Sequence, residues 1–129
     1  MKNLSKFSGI WTALVTPFKE GALDQKSFLN LIAQQIELGV KGVVINGTTG
    51  ESPTLTLQEV KKLVDWASVE IAGEIPIIIG AGSNSTDTSI GLVKALEGFK
   101  PAAFLQVVPY YNKPPQRGLL KHFTMVAER

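Results

Sequence analysis

The residues of this chain that could do chemistry fall in four short clusters. They are Thr16-Pro17-Phe18, Asn46-Gly47-Thr48-Thr49-Gly50-Glu51-Ser52, Gly80-Ala81-Gly82-Ser83-Asn84 and Pro109-Tyr110-Tyr111-Asn112-Lys113-Pro114-Pro115. Hydroxyls, amides and phenols dominate them. In the second cluster the glycines let the backbone turn tightly and present amides, with the Thr48 and Thr49 hydroxyls, to a small anion. The same segment also reads as a plain strand-to-helix turn whose hydroxyls bond the local backbone. Both readings stand at this point. It is not a P-loop, because the Gly-x-x-x-x-Gly-Lys spacing is missing. Gly80-Ala81-Gly82 reads as close packing of a helix on a strand. The adjacent phenols of Tyr110 and Tyr111 point in different directions, so one is expected to face the other clusters and one to pack. A tyrosine, with a pKa of about 10, relays a proton only when a neighbour assists it.

Other chemistries are excluded by composition. Cysteine is absent, which removes disulfides, thiolate metal sites and cysteine nucleophiles. The single histidine, His122, cannot build a multi-histidine metal centre and reads as a surface or helix-packing residue. No metal or other cofactor is expected. Thirteen Lys and Arg against 11 Asp and Glu give a net charge of +2. The only arginines, Arg117 and Arg129, and the scattered lysines make no basic stripe, so no nucleic-acid partner is expected. At 129 residues, 44% hydrophobic and 19% charged, the chain is not disordered and is long enough to enclose a core. No uncharged apolar run reaches the roughly 18 residues that a membrane-spanning helix needs. Met1 to Phe7 lead into neither a sustained apolar stretch nor a cleavage site. Cytoplasm is therefore the expected compartment, with no membrane partner.

The clusters need elements to position them. Ile10 to Val15, Gly42 to Ile45, Ile75 to Ile79 and Ala103 to Val108 read as strands, and Val43-Val44-Ile45 and Ile77-Ile78-Ile79 have the β-branched density of strands buried on both faces. Each strand is followed by one of the four clusters. Helical segments alternate with the strands. Asp24 caps a stripe of Phe28, Ile32 and Ile36 that ends at Gly39. Thr56-Leu57-Gln58-Glu59 matches a capping box ahead of Val60, Leu63, Val64, Ala67 and Ile71, with Gly73 as the stop. Ser85 or Thr86 opens a third helix through Ile90, Val93 and Leu96 to near Gly98. Pro114 and Pro115 open a fourth through Leu119, Phe123 and Val126. The pattern is α/β, four βα units with parallel strands and right-handed crossovers. A (β/α)₈ barrel takes about 250 residues, so four units are half of one, here a single partial domain over residues 1–129. A flavodoxin-like sheet would need a fifth strand and a Gly-rich or acidic loop after the first, and neither is present. In such folds the chemistry collects at the C-terminal strand ends, so all four clusters are expected on one rim. The first and fourth strands are expected to be unpaired edges, with the inner layer uncovered.

Taken together, Thr-Pro after strand one, Gly-Thr-Thr-Gly-Glu-Ser after strand two, Gly-Ser-Asn after strand three and Pro-Tyr-Tyr-Asn-Lys-Pro after strand four carry a resemblance. From Gly9 onward the chain resembles the N-terminal half of the dihydrodipicolinate synthases, within the pyruvate-dependent class I aldolases that include N-acetylneuraminate lyase. The resemblance implies condensation of pyruvate with aspartate 4-semialdehyde on the route to diaminopimelate and lysine, with pyruvate held as a Schiff base on a lysine. Thr49 matches the residue that binds the pyruvate carboxylate. Thr48 and Tyr111 match a proton relay, with Tyr111 reaching into a neighbouring subunit's site, so a homodimer or homotetramer is implied. Ser52, Asn84 and Tyr110 match three positions of an interface site for lysine as feedback inhibitor. The glutamate position of that site is Thr88 here, and the two histidine positions are Leu57 and Val60, so weak or absent lysine inhibition is expected.

A Schiff-base lysine must be neutral near pH 7, which calls for a desolvated position on the pocket side of a strand. Lys2 and Lys6 lie in the N-terminal segment, and Lys19, Lys26, Lys61, Lys62, Lys94 and Lys121 in polar loops or helices. Lys41 and Lys100 precede strands on the opposite rim, and Lys113 lies in a Pro-flanked loop. In the family the nucleophile, a second relay tyrosine and a carboxylate-binding arginine come from the second half of the barrel. The chain is accordingly expected to be a fragment without turnover of its own. Two alternatives stand beside this reading: a sister aldolase acting on sugar acids, and a non-catalytic half-barrel that associates with itself through its open edges.

Overall fold

Dense β-branched runs become buried parallel strands. The computed structural model describes residues 4–129. Its elements are β1 (Trp11–Ala13), β2 (Phe18–Lys19), β3 (Ala22–Leu23), α1 (Gln25–Glu37), β4 (Gly42–Ile45), α2 (Leu57–Ile71), β5 (Ile77–Gly80), α3 (Thr86–Leu96), β6 (Ala103–Leu105) and α4 (Gln116–Ala127), with single 3₁₀ turns at Leu4–Phe7, Ser52–Thr54 and Glu97–Phe99. Strands β1, β4, β5 and β6 form one parallel sheet in that order, with Thr12 opposite Val43, Val44 opposite Ile78 and Ile79 opposite Phe104. The alternation of strand and helix therefore gives the expected half of a (β/α)₈ barrel. Its edges among the described residues are β1 and β6.

The edge strands are shorter than their apolar runs. Beyond Ala13 the last ladder bond runs from the Leu14 amide to the Val44 carbonyl, and beyond Leu105 the chain leaves the ladder after its carbonyl accepts from Ala81. Ile10, Val15, Leu105 and Val108 are consequently exposed, while all four residues of the central β4 are buried.

Two helices cover one face of the sheet. Phe28 and Ile32 of α1 and Val60, Leu63, Val64, Ala67 and Ile71 of α2 close over Val43, Ile45 and Ile79 in one apolar cluster with Leu14 and Leu96. Helical periodicity produces that stripe, and local chemistry ends it. Asp24 caps α1 by accepting from the Ser27 amide at 3.1 Å. The capping box of α2 is complete: the Glu59 amide donates to Thr56 Oγ1 at 3.2 Å, and the Thr56 amide donates back to Glu59 Oε2 at 2.8 Å. Ser85, rather than Thr86, caps α3. Past Leu96 that helix tightens into a 3₁₀ turn and stops at Lys100, which takes a left-handed conformation at φ 51°, so the stop is not Gly98 itself.

One feature departs from the sequence expectations, and one reading left open between surface and helix packing, that of His122, is decided in favour of packing. A small antiparallel hairpin, β2 with β3, lies between β1 and α1. Glu20 (φ 53°) and Gly21 (φ 79°) turn it, the pair of positive φ angles that suits the twist of a two-residue hairpin. His122 is not a surface residue. It is 4% exposed, and its Nδ1 shares a hydrogen bond of 2.9 Å with Thr86 Oγ1, joining α4 to α3. No helix among the described residues is long and apolar enough to cross a membrane.

Candidate active site

Three side-chain bonds draw the four clusters together at the C-terminal end of the sheet. Thr16, after β1, donates through Oγ1 to the Gly50 carbonyl at 2.7 Å. Asn46, directly after β4, donates through Nδ2 to the Gly80 carbonyl at the end of β5, at 2.8 Å. Asn112, in the loop after β6, donates through Nδ2 to the Asn84 carbonyl at 3.1 Å. Each bond links one strand's loop to the next, so the rim is continuous from β1 to β6.

Within the turn after β4 the backbone closes on itself. The amides of Gly50 and Ser52 donate to the Gly47 carbonyl at 3.0 and 3.4 Å, and the Glu51 amide donates to the Thr48 carbonyl at 3.0 Å. Thr48 and Thr49 occupy the exposed crest. The turn is thus held by its own amides and carbonyls, and the plain-turn reading in which its hydroxyls do this work is not what the structure has. Two adjacent hydroxyls on a fixed turn are a donor pair suited to a carboxylate.

The close approach at Gly80-Ala81-Gly82 is made with neighbouring loop backbone, by the last residue of β5 at Gly80 and by the loop after it at Gly82, and not by a helix on a strand. A Cβ on Gly80 would run into the Asn46 carbonyl, and one on Gly82 into the Val107 amide. Ser83 is fixed in turn, its amide donating to Ser89 Oγ at 2.9 Å.

The two tyrosines point in different directions, but the one that does not face the clusters stands in solvent and does not pack as expected. Tyr110, 42% exposed, helps line a cavity of about 200 Å³ with Ser52, Ser83, Thr88, Leu57 and Val60. Tyr111 sits at φ 70° and is 91% exposed. Its phenol stands out in solvent, and nothing in the described chain draws it to the Thr48 hydroxyl. Asn84 is half-buried and does not line the cavity that Ser52 and Tyr110 line. A smaller cavity of about 30 Å³ lies between Thr48, Gly47, Ser52, Gly80, Gly82 and Asn46.

Charge is sparse on this rim. The carboxylates held below their ordinary range are Asp24 and Glu59, and both are helix caps: Asp24 through the hydroxyl and then the amide of Ser27, Glu59 through the amide and then the hydroxyl of Thr56. Among the described residues no three His, Cys, Asp or Glu side chains gather where they could hold a metal ion. Of the described lysines, Lys61 on α2 is half-buried and the others are exposed, and Lys2 lies outside the described residues. Thr16, Asn46 and Asn112 stand in the sequence clusters without an assigned role, and the bonds they make across the rim are what sequence reasoning missed. An Asn before Gly at a strand end is a signal of left-handed backbone, but its partner across the rim has no local signature.

The profile of the dihydrodipicolinate synthetase family matches residues 6–129. The chain belongs to that family. It is 55% identical over 122 residues to a 4-hydroxy-tetrahydrodipicolinate synthase of Afipia carboxidovorans, and 47% identical over 123 residues to one of Thermotoga maritima. These stretches cover 95% of this chain but 41% and 42% of the two relatives, so the chain spans about two-fifths of their length. Among solved structures it superposes on a monomeric dihydrodipicolinate synthase variant with a TM-score of 0.93 at 46% identity, covering 97% of this chain and 42% of that one. A dihydrodipicolinate synthase of Acinetobacter baumannii, solved in complex with pyruvate, gives a TM-score of 0.89 at 42% identity over 93% of this chain and 42% of that one. The dihydrodipicolinate synthetase fold is thus present here as its first four βα units, the part that carries the rim just described.

Proposed function

We propose that this chain is the carboxylate-receiving half of a lyase that condenses pyruvate with aspartate 4-semialdehyde, a 4-hydroxy-tetrahydrodipicolinate synthase. The observation that carries the reading is the self-bonded turn after β4, which presents the hydroxyls of Thr48 and Thr49 side by side at the crest. In this reading Thr49 holds the pyruvate carboxylate, so that the C2 carbonyl is aimed before reaction and the entropy of orientation is already met. Lysine attack on C2 forms a C–N bond and a carbinolamine, whose oxygen must gain a proton before water leaves. Thr48 passes that proton, with Tyr111 as the next member of the relay. The exposure of the Tyr111 phenol supports a relay completed across a subunit boundary, which makes the working form a homo-oligomer.

The lysine itself has to come from outside the described residues, since a covalent hook needs a desolvated amine on the pocket side of a strand, and the lysines here are exposed or, for Lys61, lie on helix α2. The cavity bearing Ser52 and Tyr110 is walled by Leu57, Val60 and Thr88, which give no carboxylate to a cationic amino acid. Feedback inhibition by lysine is accordingly weak or absent; micromolar inhibition of the assembled enzyme would contradict this.

The test is borohydride trapping with pyruvate, read by mass spectrometry. This chain alone is expected to form no reduced adduct. Joined in frame to the remaining length of the Afipia relative, it is expected to support one, and Thr49→Val should then raise the pyruvate KM at least tenfold. An adduct on a lysine of this chain, or a Thr49→Val variant with unchanged KM, would overturn the assignment.

A further inference from the structure

We propose that Asn46 is a positioning residue that sets the Thr48–Thr49 turn against the end of β5. It is 6% exposed and lies directly between the central strand β4 and the turn. Its φ is 60°, a left-handed conformation that Asn tolerates better than most residues with a side chain. That conformation turns the chain out of the strand one residue before Gly47. The side chain then reaches across to donate from Nδ2 to the Gly80 carbonyl, and the bare α-carbon of Gly80 is what allows the two backbones to come so close.

The turn is therefore pinned at both shoulders. Asn46 ties its start to β5, and the Thr16 hydroxyl ties its end, at Gly50, to the segment after β1. Thr48 and Thr49 stand between the two pins. Few side chains serve at position 46: Asp would tolerate the φ but has no N–H to give, and Gly would take the φ but has no side chain. The carboxamide oxygen is buried with no hydrogen-bond partner among the described residues, so the group is held here by its donor half. The same carboxamide borders both rim cavities, the one with Thr48 and the one with Tyr110, so a shift at Asn46 moves the wall between them.

The ligand arm of the test rests on the pyruvate reading; the structural arm does not. Amide hydrogen exchange is measured on the wild-type chain and on Asn46→Gly, which keeps the backbone freedom and removes the bond. The Gly50, Glu51 and Ser52 amides are expected to exchange at least tenfold faster in the variant, with Val64 and Ala67 in α2 unchanged. Asn112→Ala, which removes the other amide bond on the rim, should leave the Gly50 to Ser52 amides at wild-type rates. In the wild type one Asn46 Nδ2 proton should itself exchange slowly. Pyruvate titration, with the wild type and Asn46→Gly each joined in frame to the remaining length of the Afipia relative, should shift the Thr48 and Thr49 amides, with Kd at least fivefold weaker in Asn46→Gly.

Unchanged exchange in the turn would overturn the proposal, as would acceleration spread evenly through α2, which marks only lost stability. If Asn46→Gly does not fold, Asn46→Asp and the wild-type Nδ2 proton decide: free-amide exchange of both Nδ2 protons overturns it. A loosened turn in the variant with no pyruvate response in the wild type would uphold the positioning role and sink the pyruvate reading instead.

Discussion

The Thr16 hydroxyl and the Gly50 carbonyl, 34 positions apart in the chain, are joined by a hydrogen bond of 2.7 Å. Gly50 is buried, so its carbonyl has this hydroxyl in place of water. Thr16→Val keeps the shape and removes the donor. Leaving a buried acceptor unpaired costs about 1–2 kcal/mol, and urea unfolding should show a midpoint lowered to match with the slope unchanged. Equal midpoints for Thr16→Val and wild type would mean that the bond is not made in solution.

Glycines separate into two kinds by what a methyl group would meet. At Gly82 it would strike the Val107 amide, and at Gly80 the Asn46 carbonyl, and backbone cannot move aside as a side chain does. Overpacking of this sort falls at or above the upper end of its usual range, about 3 kcal/mol, so Gly80→Ala and Gly82→Ala should each lower the melting midpoint by many degrees. Gly91 lies within α3 and faces open space. Gly91→Ala is expected to raise stability by about 0.5–1 kcal/mol through helix propensity alone. Thermal melts of the three variants check the contrast.

Gln106, just past β6, has both amide atoms buried with no hydrogen-bond partner among the described residues. It lines a cavity with the apolar Phe104, Val93, Phe123 and Val126, whose lining also includes Glu97 and Arg129, neither of which bonds the amide. Gln106→Leu removes the desolvation cost and fills the same space, so it should stabilise the chain by about 1 kcal/mol in urea unfolding. A loss of stability would show that the amide has partners in solution.

Acid should loosen the two caps. Glu59 and Asp24 are held below their ordinary range by bonds from Thr56 and Ser27. A carboxylate with a lowered folded pKa adds stability that is fully present above its unfolded value, about 4, and is lost as pH falls through the lowered one. Unfolding midpoints should therefore hold steady from pH 7 to about 5 and fall below about 4. Glu59→Gln and Asp24→Asn should each flatten that fall, and a midpoint that rises on acidification would contradict the assignment.

Much of the architecture was legible because its causes are local. The stripe from Val60 to Ile71 and the Thr56-Glu59 capping box lie within one helix, and both appear as expected. The β2–β3 hairpin escaped notice because each of its strands is only two residues, too short for any alternation to register. The sequence leaves His122 open between surface and helix packing because a lone polar side chain on a helix gives no sign of the hydroxyl that meets it. That hydroxyl belongs to Thr86, 36 positions earlier.

On the rim the same division holds. That four clusters of hydroxyl, amide and phenol follow four strands is a matter of order along the chain, and parallel β-strands joined by helices must bring such clusters to one end. The amino-acid sequence alone therefore determined the βα order, the caps that open α1 and α2 and the edge on which the chemistry collects. Only the tertiary structure decided that Asn46 grips Gly80, that Thr16 closes on Gly50, and that Tyr110 lines a cavity while Tyr111 stands in solvent. Those choices depend on distances between strands that are neighbours in the sheet and remote in the chain, and no spacing within a short window encodes them.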